Sequence, residues 1–405
     1  MTHEKGQYFT TNASLKKKVF EYILNKPDVI LEPSFGQGDL VKYTQDEFKR
    51  NAKVVSYDMY EIDEKITMLD DIDNHNYEYC NFLNKEIIKK YKTIIGNPPY
   101  VKTKTGNLYI DFIDKCIALL EPNGELIFII PSDFFKLTMA KKILIKILKQ
   151  GSFTHIYHPN DENLFENASI DVLIFRYVKN PKLKKRVIYD NSTDKRLLYI
   201  TNSDGLITFT EQDQKNMKKI EDLYDVFVGI VSGKDSIYKN DELGNISVLN
   251  GMNVNNGVKS PKIHKFIYTK TYPSDNKEID EYLLSNKEEL MKRKIRKYNS
   301  NNWFEWGAPR NIKKMEECKD QECIYVINIT RKNTVAFRDK VQYFGGSLIM
   351  LKPKDNITEI LNLELGDILD RTISHFNSDI FKKIFTYSNR FKIGHRQLSK
   401  SFIDI

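Results

Sequence analysis

The first 180 residues alternate between short apolar runs and stretches of helical spacing, and that alternation limits the folds open to the chain. Val29-Ile30-Leu31 reads as a buried strand stopping at Glu32-Pro33, and Val54-Val55-Ser56-Tyr57 as a second ending at Asp58. Thr93-Ile94-Ile95-Gly96 runs directly into Asn97. Glu125 to Ile130 is the strongest run, closed by Pro131, and Asp171 to Tyr177 is a later one rich in β-formers. Between the third and fourth strands, Tyr109, Phe112, Ile113, Cys116, Ile117 and Leu120 recur at helical spacing up to Pro122-Asn123-Gly124. This rhythm predicts a doubly wound, mainly parallel α/β sheet. Such a sheet binds ligands at the carboxyl ends of its strands, where Glu32, Asp58, Asn81 and Asn97 fall.

After Lys179 the rhythm stops. Asn180-Pro181 with Lys182, Lys184 and Lys185 suggests a linker or an exposed edge, followed by Asn-rich, aromatic-bearing segments. We expect one domain over residues 1–180 and a second, mixed α/β domain over 181–405. Lys and Arg number 63 against 55 Asp and Glu, a formal charge of +8, which suits a polyanionic partner without requiring one. Basic residues crowd at Lys292, Arg293, Lys294, Arg296 and Lys297, and again from Lys382 to Lys400. Cys80, Cys116, Cys318 and Cys323 form no CxxC pair, so neither a disulfide framework nor a metal site is expected. No apolar signal core opens the chain, and no run approaches the roughly 20 apolar residues that cross a bilayer. These features predict a cytoplasmic protein with reduced thiols and no membrane association.

The sharpest local signal is Asn97-Pro98-Pro99-Tyr100 after an apolar strand. Two prolines fix two φ angles and stiffen the loop. The Asn97 carboxamide oxygen and the Pro98 carbonyl can then accept both hydrogens of one exocyclic NH2, with Tyr100 offering an aromatic face. The second signal is Glu32-Pro33-Ser34-Phe35-Gly36-Gln37-Gly38 at a strand-to-helix turn. Its glycines allow close backbone approach, but it lacks the Gly-Lys-Ser/Thr ending of a phosphate loop and the third glycine of a dinucleotide fingerprint. Asp58, roughly 20 residues on, is placed to take both hydroxyls of a ribose. A nucleoside cofactor without a phosphate cradle fits this pair of signals.

Together these motifs resemble the gamma-class N6-adenine DNA methyltransferases of restriction–modification systems. The resemblance is specific over the first 180 residues and looser beyond. It implies a Rossmann-like fold that binds S-adenosyl-L-methionine, followed by a target-recognition domain. Gly6-Gln7-Tyr8-Phe9-Thr10 is similar to the segment that folds over the cofactor, bringing in Tyr8 and Thr10. Glu32, Pro33, Ser34, Gly36 and Gly38 resemble the cofactor loop, and Asp58 the ribose acid. Asn81-Phe82 stands where the family usually has Asp-Phe, and Phe112 is placed near the cofactor adenine. Asn97, Pro98, Pro99, Tyr100 match the catalytic motif letter for letter. A second aromatic that sandwiches the flipped base is assigned to Tyr177, with Phe165 as the runner-up.

The resemblance implies methyl transfer to N6 of an adenine rotated out of double-stranded DNA, without a metal or a covalent intermediate. It further implies a monomer, with a cognate restriction endonuclease as a companion. Lys102, Lys104 and Gly106 lie in a loop placed to close over the strand. Methylation of an RNA base or of a protein glutamine uses the same four-residue motif and is the rival reading. The short segment before the cofactor loop and the long one after the catalytic domain favour a nucleic-acid reader. A degenerate DNA-binding module would have lost the catalytic loop or Gly36 and Gly38, and all of these are present. No acidic pair followed by Glu-x-Lys suggests a fused nuclease.

Overall fold

The computed structural model describes residues 8–103, 106–165, 169–255, 258–387 and 389–405. Gly6, Gln7 and Lys104 of the sequence motifs therefore lie outside the described residues. The chain forms two compact units, one of residues 1–216 with 387–389 and one of residues 217–386 with 390–405.

The first unit is built on a ten-stranded sheet in the order β10-β9-β8-β6-β7-β5-β4-β1-β2-β3. Its centre is β1 (Val29–Glu32), β2 (Ser56–Glu61), β3 (His75–Tyr79), β4 (Tyr91–Gly96) and β5 (Leu120–Pro131). All pairings among these five are parallel. β7 (Val172–Val178) inserts antiparallel between β5 and β6 (Ser152–Tyr157). Alternating side chains send the strands into two cores. Leu31, Ile94, Leu126 and Phe128 pack with α3 (Leu108–Leu119) and α4 (Lys141–Gln150). Ile30, Ile95, Ile127 and Ile129 pack with α1 (Ala13–Glu21) and α2 (Asp39–Arg50) on the other face. Helices therefore cover both faces, as the near-continuous apolar runs required. The order reverses at β1, which has β2 on one side and β4 on the other. That switch point opens a crevice at the carboxyl ends of β1 and β4.

The boundary expected near residue 180 moves. β8 (Arg186–Asp190) pairs in parallel with β6, and β9 (Lys195–Ser203) and β10 (Leu206–Thr210) extend the same sheet antiparallel. Val187 and Ile207 are fully buried in the α3/α4 core. The Lys-rich stretch is a turn between strands, and Lys185 Nζ donates to the Leu148 and Gly151 carbonyls at 2.7 and 2.5 Å.

The second unit holds a four-stranded antiparallel sheet built from Tyr224–Val228, Leu348–Pro353, Glu322–Ile327 and Ala336–Lys340. A two-stranded ribbon, Ile246–Asn255 with Val258–Phe266, and several short helices accompany it. Trp303 and Trp306 are buried in its core, and Trp306 donates to the Ile267 carbonyl at 2.9 Å. Among the described residues no helix is long and apolar enough to cross a membrane, no His/Cys/Asp/Glu group could hold a metal ion, and the four cysteines are free.

Candidate active site

β1 ends at Glu32 and β4 runs into Asn97, so the two sequence signals meet across the switch point. Between them lies a cleft lined by Tyr8, Phe9, Thr10, Glu32, Ser34, Phe35, Gly36, Asp39, Leu40 and Asn97. Gly36 and Gly38 both take left-handed φ values, +56° and +89°. A side chain on Gly36 would press on the Phe9 ring, and one on Gly38 would come within 2.5 Å of Ile72. The turn therefore needs glycine at both places.

Glu32 is buried; its Oε1 accepts the Ser34 N–H at 3.2 Å. Burial lifts its pKa well above the usual carboxylate range, and the nearby Glu61 adds to the rise. Glu32 Oε2 and Ser34 Oγ are buried without a hydrogen-bond partner among the described residues. Unpaired buried polar atoms cost stability, and here they border the cleft.

Asn97 is held in one orientation. Its Nδ2 donates to the Tyr8 carbonyl at 2.8 Å and to Thr10 Oγ1 at 3.1 Å. Its Oδ1 accepts the Tyr100 hydroxyl at 2.5 Å. Burial raises the Tyr100 pKa well above its ordinary value, so the hydroxyl stays a donor. With both amide hydrogens used, the oxygen is the atom left to accept from a ligand. Pro98 is buried directly after it, fixing the loop. Beyond the loop, the Leu108 N–H donates to the Val101 carbonyl at 2.8 Å.

Two expected site residues are elsewhere. Asp58 does not end its strand: β2 continues to Glu61, and Asp58 is a buried mid-strand residue. Its carboxylate accepts Lys89 at 2.6 Å, Tyr91 at 2.9 Å and Asn76 at 3.2 Å. Burial alone would raise its pKa, but these donors hold it below the ordinary value. The strand-end acid is Glu61, which the sequence reading missed. It accepts the N–H groups of Gly36, Ile62 and Asp63 at 3.0, 2.9 and 3.0 Å. Counting the apolar run through Asp58-Met59-Tyr60 would have found it, since a strand buried on both faces tolerates one paired acid.

Tyr177 is the second correction. It is fully buried against Phe153, with its hydroxyl donating to the Ile147 carbonyl at 2.8 Å. Phe165 is the aromatic beside the Asn97-to-Tyr100 loop, 6.4 Å from the Tyr100 ring and 5.7 Å from Tyr8. β7 runs antiparallel, so its Tyr177 end is the far edge of the sheet from Pro131, while the segment before it returns to the near edge. Phe82 and Phe112 are buried and stacked on each other at 5.5 Å. Asn81 is exposed, and its Oδ1 accepts the Leu83 N–H at 3.0 Å. Phe9, Phe35, Asp39 and Leu40 line the cleft without having been singled out.

The basic cluster at 292–297 is largely committed to structure. Arg293 is buried and donates to the backbone carbonyls of Leu290, Ser232, Glu305 and Trp303. Lys292 pairs with Glu288 and Glu289, and Arg296 with Glu305. His395 opens the helix His395–Lys400, its Nε2 3.0 Å from the Val226 carbonyl.

The sheet order and the crevice at β1 and β4 define the first unit as a Rossmann-like methyltransferase fold. Comparison with known proteins agrees. Residues 10–165 match the Eco57I restriction-modification methylase family model. The type II methyltransferase M.HincII of Haemophilus influenzae is 30% identical over 201 residues, covering 44% of this chain and 38% of the relative. M.AccI of Acinetobacter calcoaceticus is 27% identical over 217 residues, covering 46% and 39%. The match thus spans less than two-fifths of these relatives' own length. The type IIL restriction-modification enzyme MmeI, solved in complex with DNA, aligns over 95% of this chain and 62% of that one, at TM-score 0.60 and 9% identity. Over residues 10–165 the chain is therefore similar to restriction–modification methylases of the Eco57I type.

Proposed function

We propose that this chain is an S-adenosyl-L-methionine-dependent DNA methyltransferase that methylates N6 of an adenine extruded from double-stranded DNA. The observation that carries the reading is the fixed Asn97 amide, whose oxygen is presented beside a cleft holding unpaired Glu32 and Ser34 oxygens. Those oxygens suit the ammonium group of the cofactor, and the phosphate-free glycine turn suits its nucleoside. When bound, the cofactor supplies an electrophilic methyl group on a sulfonium. Asn97 Oδ1 and the Pro98 carbonyl accept the hydrogens of the adenine amine and turn its lone pair out of conjugation. The base stacks against Tyr100, with Phe165 as the second aromatic wall. Such stacking is worth about 1–3 kcal/mol per base and offsets part of the extrusion cost. Glu61 stands where a strand-end acid takes a ribose. The second unit is assigned the reading of the target sequence, and a cognate endonuclease and a monomeric state complete the proposal.

The test is incubation with methyl-labelled cofactor and separate samples of duplex DNA, RNA and protein. Label is expected in N6-methyladenine of DNA, and sequencing of host DNA after expression would give the site. Label found only in RNA or in protein glutamine would overturn the assignment. DNA affinity should also fall steeply with salt through counterion release.

A further inference from the structure

The face of Tyr100 offered to a base is already covered. The Tyr8 ring stacks on it at 5.3 Å with an interplanar angle of 29°. Tyr109 meets Tyr100 edge-on at 6.1 Å, and Phe165 does so at 6.4 Å. A purine stacking on the face that Tyr8 covers must displace that ring, since Tyr109 and Phe165 meet Tyr100 edge-on. Tyr109 is 1% exposed and braced by Phe134 at 5.9 Å, so it sits in a close-packed core that resists movement. Tyr8 is only half-buried. Its polar tie to the site runs through its backbone carbonyl, which accepts Asn97 Nδ2, and its ring also packs on Phe165 at 5.7 Å. The ring can therefore turn away while that carbonyl stays in place.

We propose that Tyr8 is a positioning residue that fills the base slot until the target adenine replaces it on Tyr100. This rests on the methyltransferase reading above and adds a step to it. The ring covers the Tyr100 and Phe165 rings while the slot is empty of substrate. It also sets a threshold, because a base must stack on Tyr100 better than Tyr8 does. The competent fraction of the enzyme is reduced by the Tyr8 stack, and apparent affinity falls by that fraction. An aromatic pair of this geometry shifts such an equilibrium by roughly 2- to 10-fold.

The experiment is steady-state methylation of a duplex bearing the enzyme's own site, with wild type, Tyr8→Ala, Tyr8→Leu and Tyr8→Phe. Removing the ring should lower KM for DNA by roughly 2- to 10-fold, with a smaller change in kcat. Tyr8→Leu, which keeps bulk near the N-terminal segment, should move KM the same way, and Tyr8→Phe should restore the wild-type value. Cofactor affinity of each variant is measured alongside by calorimetry, so that a loss at the cleft is read separately from the change in KM for DNA. A KM that rises or stays fixed in both Tyr8→Ala and Tyr8→Leu would overturn the proposal. So would a Tyr8→Phe that behaves like Tyr8→Ala, because the hydroxyl and not the ring would then matter. A wild-type enzyme that methylates no DNA would instead remove the functional reading and leave the ring packing unexplained.

Discussion

Glu61 Oε2 accepts the Gly36 N–H at 3.0 Å, tying the end of β2 to the glycine turn that follows β1. The same carboxylate also accepts the N–H groups of Ile62 and Asp63. Glu61→Ala leaves these donors without their charged acceptor and frees the turn. We expect a stability loss of about 1.5–3 kcal/mol and cofactor binding weakened by at least about tenfold, roughly 1.4 kcal/mol. Asp58→Asn should lower stability while leaving cofactor affinity near wild type. Calorimetry and denaturant titration of both variants check the pair, and the opposite pattern would return the ribose role to Asp58.

Glu32 carries a pH dependence. Its folded pKa lies above its unfolded value of about 4.5, so the folded state binds more protons between the two. Stability contributed by the neutral acid is present at low pH and is lost as pH rises from the ordinary carboxylate range through the raised folded value. Glu32→Gln should therefore become more stable than wild type as pH rises through that window. A cationic ammonium paired with Glu32 would draw off its proton, so cofactor binding should release protons and strengthen with pH. Calorimetry in buffers of different ionisation enthalpy reads this directly. Equal proton release by wild type and Glu32→Gln would refute it.

Asn97 has two separable duties. Asn97→Ala removes the acceptor for the amine and should cut kcat by about 10²–10³-fold or more, by analogy with lost polar stabilisation in other active sites. Asn97→Asp keeps an oxygen but sets a carboxylate against the Tyr8 carbonyl and Thr10 Oγ1. It should loosen the N-terminal segment and weaken cofactor binding as well as rate. Single-turnover rates and cofactor titrations distinguish the two, and near-normal turnover in Asn97→Ala would sink the proposed role.

Phe165→Ala should lower kcat/KM for DNA by about 5- to 100-fold through lost base stacking. Tyr177→Phe removes only the hydrogen bond to the Ile147 carbonyl. It should cost about 1 kcal/mol of stability without a comparable kinetic change. A larger kinetic effect at Tyr177 than at Phe165 would reverse the assignment.

Arg176 and Glu125 form a buried ion pair at 2.8 and 2.7 Å, and Glu125 also accepts Thr93 Oγ1 and the N–H groups of Leu24 and Asn25. The pair fastens β5 and β7 to the chain leaving α1. Arg176→Met strands a buried carboxylate and should cost about 3–5 kcal/mol, read as a lower midpoint in urea.

The local code was sufficient for strands β1, β4, β5 and β7, for the glycine turn and for the Asn97 loop. Apolar runs closed by Glu32-Pro33 and by Asn97-Pro98 carry their own stop signals, and the positive φ of Gly36 and Gly38 is a backbone demand that only a narrow choice of residue meets. Contacts between distant segments decided the rest. Asp58 reads as a strand end until Lys89, Tyr91 and Asn76 pair with it in mid-strand, which lets β2 run on to Glu61. Tyr177 and Phe165 differ by which edge of the sheet β7 enters, and antiparallel insertion between β5 and β6 is a property of pairing, not of the strand's own letters. Residues 186–210 join the first sheet because β6 offers an unpaired edge to β8, a long-range event that no charge run or proline near residue 180 announces.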